Sequence, residues 1–285
     1  MPENTLSLAY IAEMMDELRT YAGQTLVIKI GGNSIAEDPD FLMKIARQLE
    51  FLQSRRIGVV LVHGGGPQID KALAASGLAR AKGPDGRRLT DPATMAVVAR
   101  VMNEISLTLA ETLEQTGCSI YCAAKENACF VEAKPLSENE SDRTGLPSTV
   151  DAFAIKTLLQ KRKIVVLNSV GRGTDGGSFN INADDYAMAV AMALNAKRLI
   201  LATNVAGVYN AQKQPISCLT PVMAHNLISS GVIARGMIPK VESALRALDS
   251  GVEGVVIIDA HKEWALLGEL LTHEGFGTLI SAEVA

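Results

Sequence analysis

Two lysines, each close to glycines, are the residues of this sequence best suited to chemistry on a phosphorylated ligand. Lys29 lies in Val-Ile-Lys-Ile-Gly-Gly over 27–32, and Lys240 follows Arg-Gly-Met-Ile-Pro over 235–239. An apolar run that ends in a cation and a glycine pair is typical of a buried strand that delivers positive charge to an anion-binding turn. Because such segments occur near both ends of the chain, we expect two halves to meet over one phosphorylated ligand. The pattern predicts a kinase without a Walker P-loop.

A second glycine-rich turn follows the next apolar run. Residues 62–70 read Val-His-Gly-Gly-Gly-Pro-Gln-Ile-Asp, so three glycines separate a predicted strand from a helix start. Backbone N–H groups in such a turn bind phosphate or carboxylate, at the strand end where ligands of open α/β sheets lie. A tight turn without a ligand is the alternative, which three successive glycines disfavour. His63 is interpreted as structural.

Two arginines stand immediately before a predicted helix. The sequence Gly-Arg-Arg-Leu-Thr-Asp covers 86–91, and Thr90 or Asp91 would cap the helix. One guanidinium, that of Arg87 or Arg88, could hold a substrate carboxylate through two parallel hydrogen bonds. Surface arginines beside a turn are an equally good interpretation of these residues alone.

Glycines, amides and carboxylates follow one another over 171–185. Four glycines lead into Asn-Ile-Asn-Ala-Asp-Asp at 180–185, which opens an alanine-rich helix. Asn180 and Asn182 could bind a ligand through their amides. Asp184 or Asp185 could be the N-cap of this helix. Alternatively, one carboxylate could orient both lysines, since three charges in one cleft must compensate one another.

The segment Leu-Ala-Thr-Asn-Val-Ala-Gly-Val-Tyr over 201–209 is similar to a turn that holds a nucleotide. It offers a hydroxyl, an amide, a glycine and then an aromatic ring that could face a base. This segment alone does not identify a nucleotide site.

Continuous apolar runs alternate with helical patterns and must position these residues. Runs of this kind predict buried parallel strands rather than half-exposed ones. The alternation favours an α/β sheet that is covered on both faces. The predicted strands are Leu26–Ile30, Ile57–Val62, Ile164–Leu167, Leu199–Ala202 and Val255–Ile258. The predicted helices are Asp40–Ser54, Ile69–Ser76, Pro92–Thr116, Val150–Lys161, Asp184–Leu194, Pro239–Ser250 and Lys262–Leu271.

Two segments leave their role open. Residues 134–149 are polar, contain two prolines and a glycine, and predict either a solvated loop or hairpin, or a flap beside the ligand site. The N-terminal segment has Leu8, Ile11, Met15 and Leu18 at helical spacing. Such a helix either packs on its own domain or mediates oligomerisation, and spacing alone favours packing.

Composition narrows the class of protein. The 285 residues are 48% hydrophobic, which is ample for a large core. A net charge of −4 gives no support for a nucleic-acid partner. We expect no membrane-spanning segment, no signal peptide and no membrane partner. Cys118, Cys122 and Cys129 lack the spacing of a metal site, so we predict no protein-bound metal, reduced core cysteines and a cytoplasmic location.

In their order along the chain, these segments resemble the amino acid kinase family, and within it the N-acetylglutamate kinases. The resemblance covers nearly the whole chain and rests on KIGG, HGGGPQ, RLTD, NINAD, TNVAGVY, RGMIPK and GELLTHEGFGT. It implies a three-layer αβα sandwich with a mainly parallel central sheet, the carbamate kinase-like fold. It also implies an N-terminal helix over 1–22, an amino-acid lobe over 23–177 and a nucleotide lobe over 178–285.

The reaction that the resemblance implies is transfer of phosphate from ATP, with Mg²⁺ held mainly by nucleotide oxygens and water, to a side-chain carboxylate. The acceptor would be N-acetyl-L-glutamate, on the route to arginine. By the same resemblance, Lys29 and Lys240 stabilise the transferred phosphoryl group and Asp184 holds both lysines. Gly65, Gly66, Arg88 and Asn180 would bind the acylated amino acid. The nucleotide would contact Gly31, Gly32, Thr203, Asn204, Gly207 and Tyr209.

Some members of the family are hexamers that arginine inhibits and that carry a helix before the first strand. This makes Tyr10, Glu269 and Gly277 candidate arginine contacts, and it favours a homo-oligomer, either a dimer or a hexamer built through the N-terminal helix.

Three stretches depart from the family pattern. Residues 121–128 replace a glycine-rich strip with an aspartate that lies near the substrate in relatives, Asn204 replaces an aspartate, and 256–261 differ beside the arginine site. Two alternatives therefore stay open. One is a kinase of another acylated or carrier-linked amino acid, and the other is a non-catalytic amino-acid sensor on the same scaffold.

Overall fold

A central sheet of eight strands runs through the computed structural model, which describes residues 8–38, 40–83, 86–234, 237–272 and 275–282. In the order in which they lie side by side, the strands are β12, β14, β13, β9, β1, β2, β6 and β3. The strands of the described chain are β1 (Thr25–Ile30), β2 (Gly58–His63), β3 (Ile120–Cys122), β4 (Val131–Pro135), β5 (Thr144–Val150), β6 (Ile164–Asn168), β7 (Val170–Arg172), β8 (Ser178–Ile181), β9 (Arg198–Thr203), β10 (Val208–Tyr209), β11 (Pro215–Ile216), β12 (Cys218–Leu219), β13 (Val255–Asp259) and β14 (Gly277–Ile280).

The five predicted strands are the five central ones, and all of them pair in parallel. The prediction of a mainly parallel sheet is confirmed, and the exceptions are β14 and its parallel neighbour β12, because β14 runs antiparallel to β13. Alternate residues of β1 enter opposite cores, with Ile28 in one apolar cluster and Val27 in the other. Because both faces are buried, most residues of such a strand are apolar, which is why the runs are nearly continuous and polar residues such as Lys29 and His63 lie near the strand ends.

Helices cover both faces of the sheet and complete the three layers. The seven predicted helices are present with shifted ends, and two further helices, α2 and α8, were not predicted. Side chains cap several of them: Asp91 accepts a hydrogen bond from the N–H of Thr94, and Asp151 from that of Ala154. The helices are α1 (Leu8–Tyr21), α2 (Gly32–Glu37), α3 (Phe41–Ser54), α4 (Gly66–Ala75), α5 (Pro92–Gln115), α6 (Ala152–Gln160), α7 (Ala183–Leu194), α8 (Pro221–Ser229), α9 (Met237–Asp249) and α10 (Ala265–Leu271).

The polar segment 134–149 is part of a hairpin. Strands β4 and β5 pair antiparallel and close a small barrel with β7 and β8. The turn end of this hairpin contacts the arginine segment, because the Thr144 hydroxyl donates to the Arg88 carbonyl at 2.8 Å and the Arg143 N–H to the Thr90 carbonyl at 2.6 Å. The hairpin interpretation is thus confirmed, and its turn end supports residues that line the cavity described below.

Helix α5 corrects one expectation. It has 24 residues and is long and apolar enough to cross a membrane by length and composition, although we expected no such segment from the sequence. Half of its most apolar stretch is buried inside the protein, as is usual for a core helix of a globular domain. Val98, Met102 and Leu109 all belong to the main core.

The cysteines and the lobe boundary are simpler to place. Cys118 and Cys122 are buried and unpaired, as expected of small core residues. One sheet spans the two proposed lobes, because β1 of the first pairs with β9 of the second. The boundary at residue 177 itself stays a prediction.

Candidate active site

A cavity of about 410 Å³ opens at the carboxyl ends of β1, β2 and β9. The chain leaves β1 toward β2 on one side and returns to β9 on the other, so this is the topological switch point of the sheet, where ligands of open α/β sheets bind. Among the predicted site residues, the cavity is lined by Lys29, Gly31, Gly32, Gly65, Gly66, Arg88, Asn180, Asp184, Thr203, Asn204 and Lys240.

Asp184 joins the two lysines. Its Oδ1 lies 2.7 Å from Lys29 Nζ and its Oδ2 lies 2.9 Å from Lys240 Nζ. Burial of the Asp184 carboxyl would raise its pKa, but the two lysine charges outweigh burial and hold the pKa well below its usual range. The carboxylate is therefore ionised throughout the neutral pH range. Arg235 and Gly236, which precede Lys240 in the sequence motif, lie outside the described residues.

The N-cap interpretation of Asp184 and Asp185 is wrong. Asn182 is the cap of α7, since its Oδ1 accepts hydrogen bonds from the N–H groups of residues 184 and 185 at 2.8 and 3.3 Å. Both carboxylates are thereby free to turn away from the helix end. Asp184 turns to the lysines, and Asp185 turns to Arg87 at 2.7 Å.

The two glycine turns lie side by side. A Cβ atom on Gly32 would come within 2.8 Å of the backbone nitrogen of Gly66, so a side chain there would push the turns apart. Gln68 fastens them by donating from Nε2 to the Gly32 carbonyl at 2.9 Å. Backbone N–H groups at the start of α4 consequently face the same cavity as the lysines, which suits a ligand with two anionic groups.

Arg88 is the buried cation on the opposite wall. Its side chain is only 8% exposed, and one nitrogen, Nη2, lies 2.6 Å from Asp70 Oδ1. The other, Nη1, is buried without a hydrogen-bond partner within the described residues. A buried donor without a partner is costly, so Nη1 is poised to bind an anionic ligand.

Asn180 reaches the same segment from β8. Its Nδ2 donates to Thr90 Oγ1 at 3.0 Å, and this hydroxyl donates to the Arg88 carbonyl at 2.9 Å. Asp142 accepts from the Thr90 N–H at 3.2 Å and from the Thr144 N–H at 2.9 Å. The backbone that carries Arg88 is therefore fixed from two sides.

Gly207 and Tyr209 do not line the cavity. Gly207 has φ of +140°, and a Cβ atom there would come within 2.5 Å of Thr278 Oγ1, so a packing requirement accounts for glycine at this position. Tyr209 lies on the two-stranded ribbon β10–β11 and is 42% exposed. Nucleotide contacts at both residues stay predictions.

Several cavity residues had no sequence signal that singled them out. Asn33 and Ser34 belong to α2, Ser169 lies between β6 and β7, and Lys82 lies on the loop before the two arginines. They are single polar residues whose placement depends on contacts between distant segments. His63 is fully buried beneath the second glycine turn, 2.7 Å from Ser106 Oγ, as its structural interpretation requires. Burial lowers its pKa to about 4.

The altered strip 121–128 lies outside the cavity lining. It borders a smaller neighbouring cavity of about 110 Å³, together with Asn103 and Asn168. Asn168 is adjacent in sequence to Ser169, which faces the main cavity. In this chain the strip therefore adjoins the main cavity through Asn168 and Ser169 and does not line it.

The candidate arginine contacts lie elsewhere on the molecule. Glu269 Oε2 accepts a hydrogen bond from the Phe276 N–H at 2.7 Å, and burial raises the pKa of the Glu269 carboxyl. A Cβ atom on Gly277 would come within 2.2 Å of the Ile257 carbonyl oxygen, so pairing of β14 with β13 accounts for this glycine. Tyr10 belongs to α1, and its side chain lies outside the described part. Their role as an effector site stays a prediction.

The carboxylates around the cavity do not fit a metal ion held by the protein. Asp184, Asp70 and Asp185 each form an ion pair with a lysine or arginine. Across the described ranges, no three His, Cys, Asp or Glu side chains come together as a metal site.

Comparison with known proteins agrees with this geometry. The profile of the Amino acid kinase family matches residues 24–259. The acetylglutamate kinase of Jannaschia sp. (strain CCS1) is 34% identical over 281 residues, a match that covers 98% of each chain.

Solved structures show the same fold. N-acetylglutamate synthase from Neisseria gonorrhoeae, complexed with coenzyme A and N-acetyl-glutamate, superposes with a TM-score of 0.86 at 26% identity. That match covers 98% of this chain, which spans only 64% of the synthase chain. Carbamate kinase from Giardia lamblia bound to AMP-PNP, at 19% identity and a TM-score of 0.66 over 92% of this chain and all of that one, shares the fold.

Proposed function

Because this chain belongs to the amino acid kinase family, we propose that it transfers the γ-phosphoryl group of MgATP to the side-chain carboxylate of N-acetyl-L-glutamate. The product is an acyl phosphate. The observation that carries the proposal is the single cavity in which Asp184 pairs with both Lys29 and Lys240 while Arg88 presents a buried, unpartnered Nη1. The two lysines suit the phosphates of the nucleotide, and Arg88 suits a carboxylate of the acceptor.

The transfer step needs charge stabilisation more than covalent chemistry. The acceptor carboxylate is already an anionic nucleophile, so no general base is required. The obstacle is repulsion between this anion and the γ-phosphate, and the ammonium groups of Lys29 and Lys240 oppose it. Asp184 acts through them, by keeping both groups at one place in the cavity before ligands arrive. The bound magnesium would neutralise further phosphate charge.

The second anionic group of the acceptor, its α-carboxylate, would bind Arg88. Nη1 is the free donor, and the pair with Asp70 fixes the plane of the guanidinium. The carboxamide of Asn180 and the backbone of Gly65 and Gly66 line the same wall and would hold the acyl-amide and the reacting carboxylate. An acceptor with two carboxylates therefore matches both ends of the cavity.

Coupled ATPase assays across a panel of acceptors test the proposal. The panel is N-acetylglutamate, N-acetylaminoadipate, free glutamate and free aspartate, each at millimolar concentration with MgATP. We expect ADP release with N-acetylglutamate at a kcat/KM at least tenfold above the others, because a pocket with fixed donors discriminates by acceptor length and acylation. Formation of the acyl phosphate is verified by trapping with hydroxylamine.

The alternatives give different outcomes in the same assay. Highest turnover with N-acetylaminoadipate would favour the kinase of another acylated or carrier-linked amino acid. Binding of N-acetylglutamate or arginine in calorimetry, with no ADP release, would favour the sensor. The absence of turnover with N-acetylglutamate at millimolar concentration refutes the acceptor named here.

We propose that the protein assembles through α1. Met14 and Leu18 pack against the core, whereas Ile11 and Met15 are 42% and 53% exposed on the outer side of the helix. Exposed apolar side chains on a terminal helix are suited to a contact with a second copy. The single apolar face that the sequence predicted is thus divided between the core and the surface.

A further inference from the structure

Arg87 and Arg88 are neighbours in sequence, but their side chains form ion pairs with two different helices. Arg88 pairs with Asp70 of α4 at 2.6 Å, and Arg87 pairs with Asp185 of α7 at 2.7 Å. The Arg87 side chain is 29% exposed and that of Asp185 is 12% exposed, so the pair is largely removed from water. Such pairs constrain geometry more firmly than surface ion pairs do.

The segment that carries these arginines is a narrow loop over the cavity. Lys82 and Arg88 form a β-bridge, the Gly83 N–H donates to the Arg87 carbonyl at 2.8 Å, and the Leu89 N–H donates to the Ala81 carbonyl at 3.1 Å. We call its described residues, 81–83 and 86–89, the arginine loop. The hairpin supports this loop, because Thr144 donates to the Arg88 carbonyl and Asp142 accepts from the N–H of Thr90, the residue that follows the loop. The Arg87–Asp185 pair is the ionic contact between the loop and α7.

Helix α7 begins with two adjacent carboxylates that serve different partners. Successive side chains on a helix point about 100° apart. Asp184 therefore reaches the two lysines while Asp185 reaches the arginine loop. One rigid helix start, capped by Asn182, thus connects the groups proposed to bind phosphate with those proposed to bind the acceptor.

We propose that the Arg87–Asp185 ion pair is a positioning clamp that sets the height of the arginine loop above the lysines, and thereby the distance between the acceptor carboxylate and the phosphoryl group. Arg87 and Asp185 are positioning residues in this proposal, which rests on the proposed kinase function. The competing possibility is that Arg87 itself binds the acceptor and that Asp185 merely occupies it when the cavity is empty.

The two possibilities predict opposite changes in the acceptor KM of the variant Asp185→Asn. If the pair is a clamp, Arg87→Gln and Asp185→Asn each raise the acceptor KM about tenfold, while the KM for ATP changes less than threefold. The double variant is then no worse than either single one, because both remove the same interaction. If Arg87 binds the acceptor directly, Asp185→Asn releases it and lowers the acceptor KM. An unchanged or lowered KM in Asp185→Asn, or additive effects in the double variant, overturns the clamp.

A measurement on the ligand-free protein separates the clamp from the kinase proposal. Amide hydrogen exchange at Gly83 and Leu89, whose N–H groups close the loop ladder, should be about tenfold faster in both single variants. The control is Arg100→Gln, which removes the exposed pair with Glu104 on α5 and should leave exchange in the loop unchanged. Unchanged loop exchange in Arg87→Gln and Asp185→Asn refutes the clamp even if the enzyme is active. Faster exchange in a protein that phosphorylates none of the acceptors would support the clamp and reject the kinase proposal.

Discussion

Asp184 is the side chain on which the arrangement of the cavity depends most. Its single negative charge lies between two ammonium groups, offsets their mutual repulsion and leaves a net positive charge for an anionic ligand. We expect Asp184→Ala and Lys240→Ala to lower kcat by about 10²–10³, the loss that follows removal of one preorganised electrostatic group. Steady-state kinetics with saturating MgATP measure the effect, and circular dichroism checks that the fold persists.

The matched control for these variants is Lys125→Ala. Lys125 also pairs with a carboxylate, that of Glu114, but at the surface and 3.4 Å away. Loss of this exposed pair should leave kcat unchanged, since such pairs contribute little. Near-wild-type kcat in both cavity variants would contradict the roles proposed for them.

The burial of His63 predicts how the unfolding free energy depends on pH. Because burial lowers its pKa to about 4 from an ordinary value of 6.5, the neutral ring favours the folded state. This contribution is complete above the unfolded-state pKa and is lost as pH falls from 6.5 toward 4, which amounts to about 2 kcal/mol of unfolding free energy between pH 7 and pH 5. In His63→Gln, the difference between urea titrations at these two pH values should shrink by that amount.

His225, which is exposed on α8, supplies the control for this titration. The variant His225→Gln should keep the wild-type dependence of unfolding free energy on pH. An equally steep dependence in His63→Gln and the wild-type protein would show that another group is responsible.

At the scale of elements, the contact between the two glycine turns makes a paired prediction. A Cβ atom on Gly32 meets the backbone of Gly66 at 2.8 Å, whereas one on Gly31 has its nearest neighbours at 4.0 Å. Gly31 also has φ of −78°, which alanine adopts readily. We expect Gly32→Ala to lower the unfolding free energy by about 1–3 kcal/mol through overpacking. Gly31→Ala should change it by less than about 1 kcal/mol. Urea denaturation compares them, and equal values would contradict the close approach.

The elements that could be predicted from sequence are those with a strong local pattern. Runs such as Val255–Ile258 are continuous because both faces of their strands are buried, and they gave five strands correctly. The hairpin of β4 and β5 was predicted only as one alternative, and β7, β8 and α2 were missed because they are short and mixed in polarity. Their structure depends on partners far along the chain, as in the contact of Thr144 with Arg88.

The candidate site divides in the same way. Lysines and glycine turns were recognisable because their chemistry needs particular residue types at a strand end. The partners Asp70 and Asp185 were not identified as such, since an ion pair between segments leaves no periodic signal in one sequence. Gly207 is the opposite case, in which a sequence motif predicted a ligand contact. The structure gives another reason for glycine at this position, a close approach to Thr278.

At the scale of the whole molecule, the outer side of α1 makes a prediction about assembly. If Ile11 and Met15 form a contact between copies, the double variant Ile11→Asp/Met15→Asp should sediment as a smaller particle than the wild-type protein, because buried charges without partners are costly. Sedimentation velocity measures this. The control is Val222→Asp, a change at a 70% exposed position on α8, which should not alter the mass. Identical profiles for all three proteins would refute assembly through α1.

The arginine loop is continuous in sequence. Its contacts with the rest of the molecule include the ion pairs with Asp185 and Asp70 and the hydrogen bond from Thr144. If the proposed function holds, we expect replacement of this loop by another sequence, with complementary changes at Asp185 and Asp70, to alter which acceptors bind. Such a replacement leaves Lys29, Asp184 and Lys240 unchanged. In the proposed reaction, Lys29, Asp184 and Lys240 therefore stand on β1, α7 and α9, whereas Arg88, one of the groups proposed to bind the acceptor, stands on a loop outside these elements.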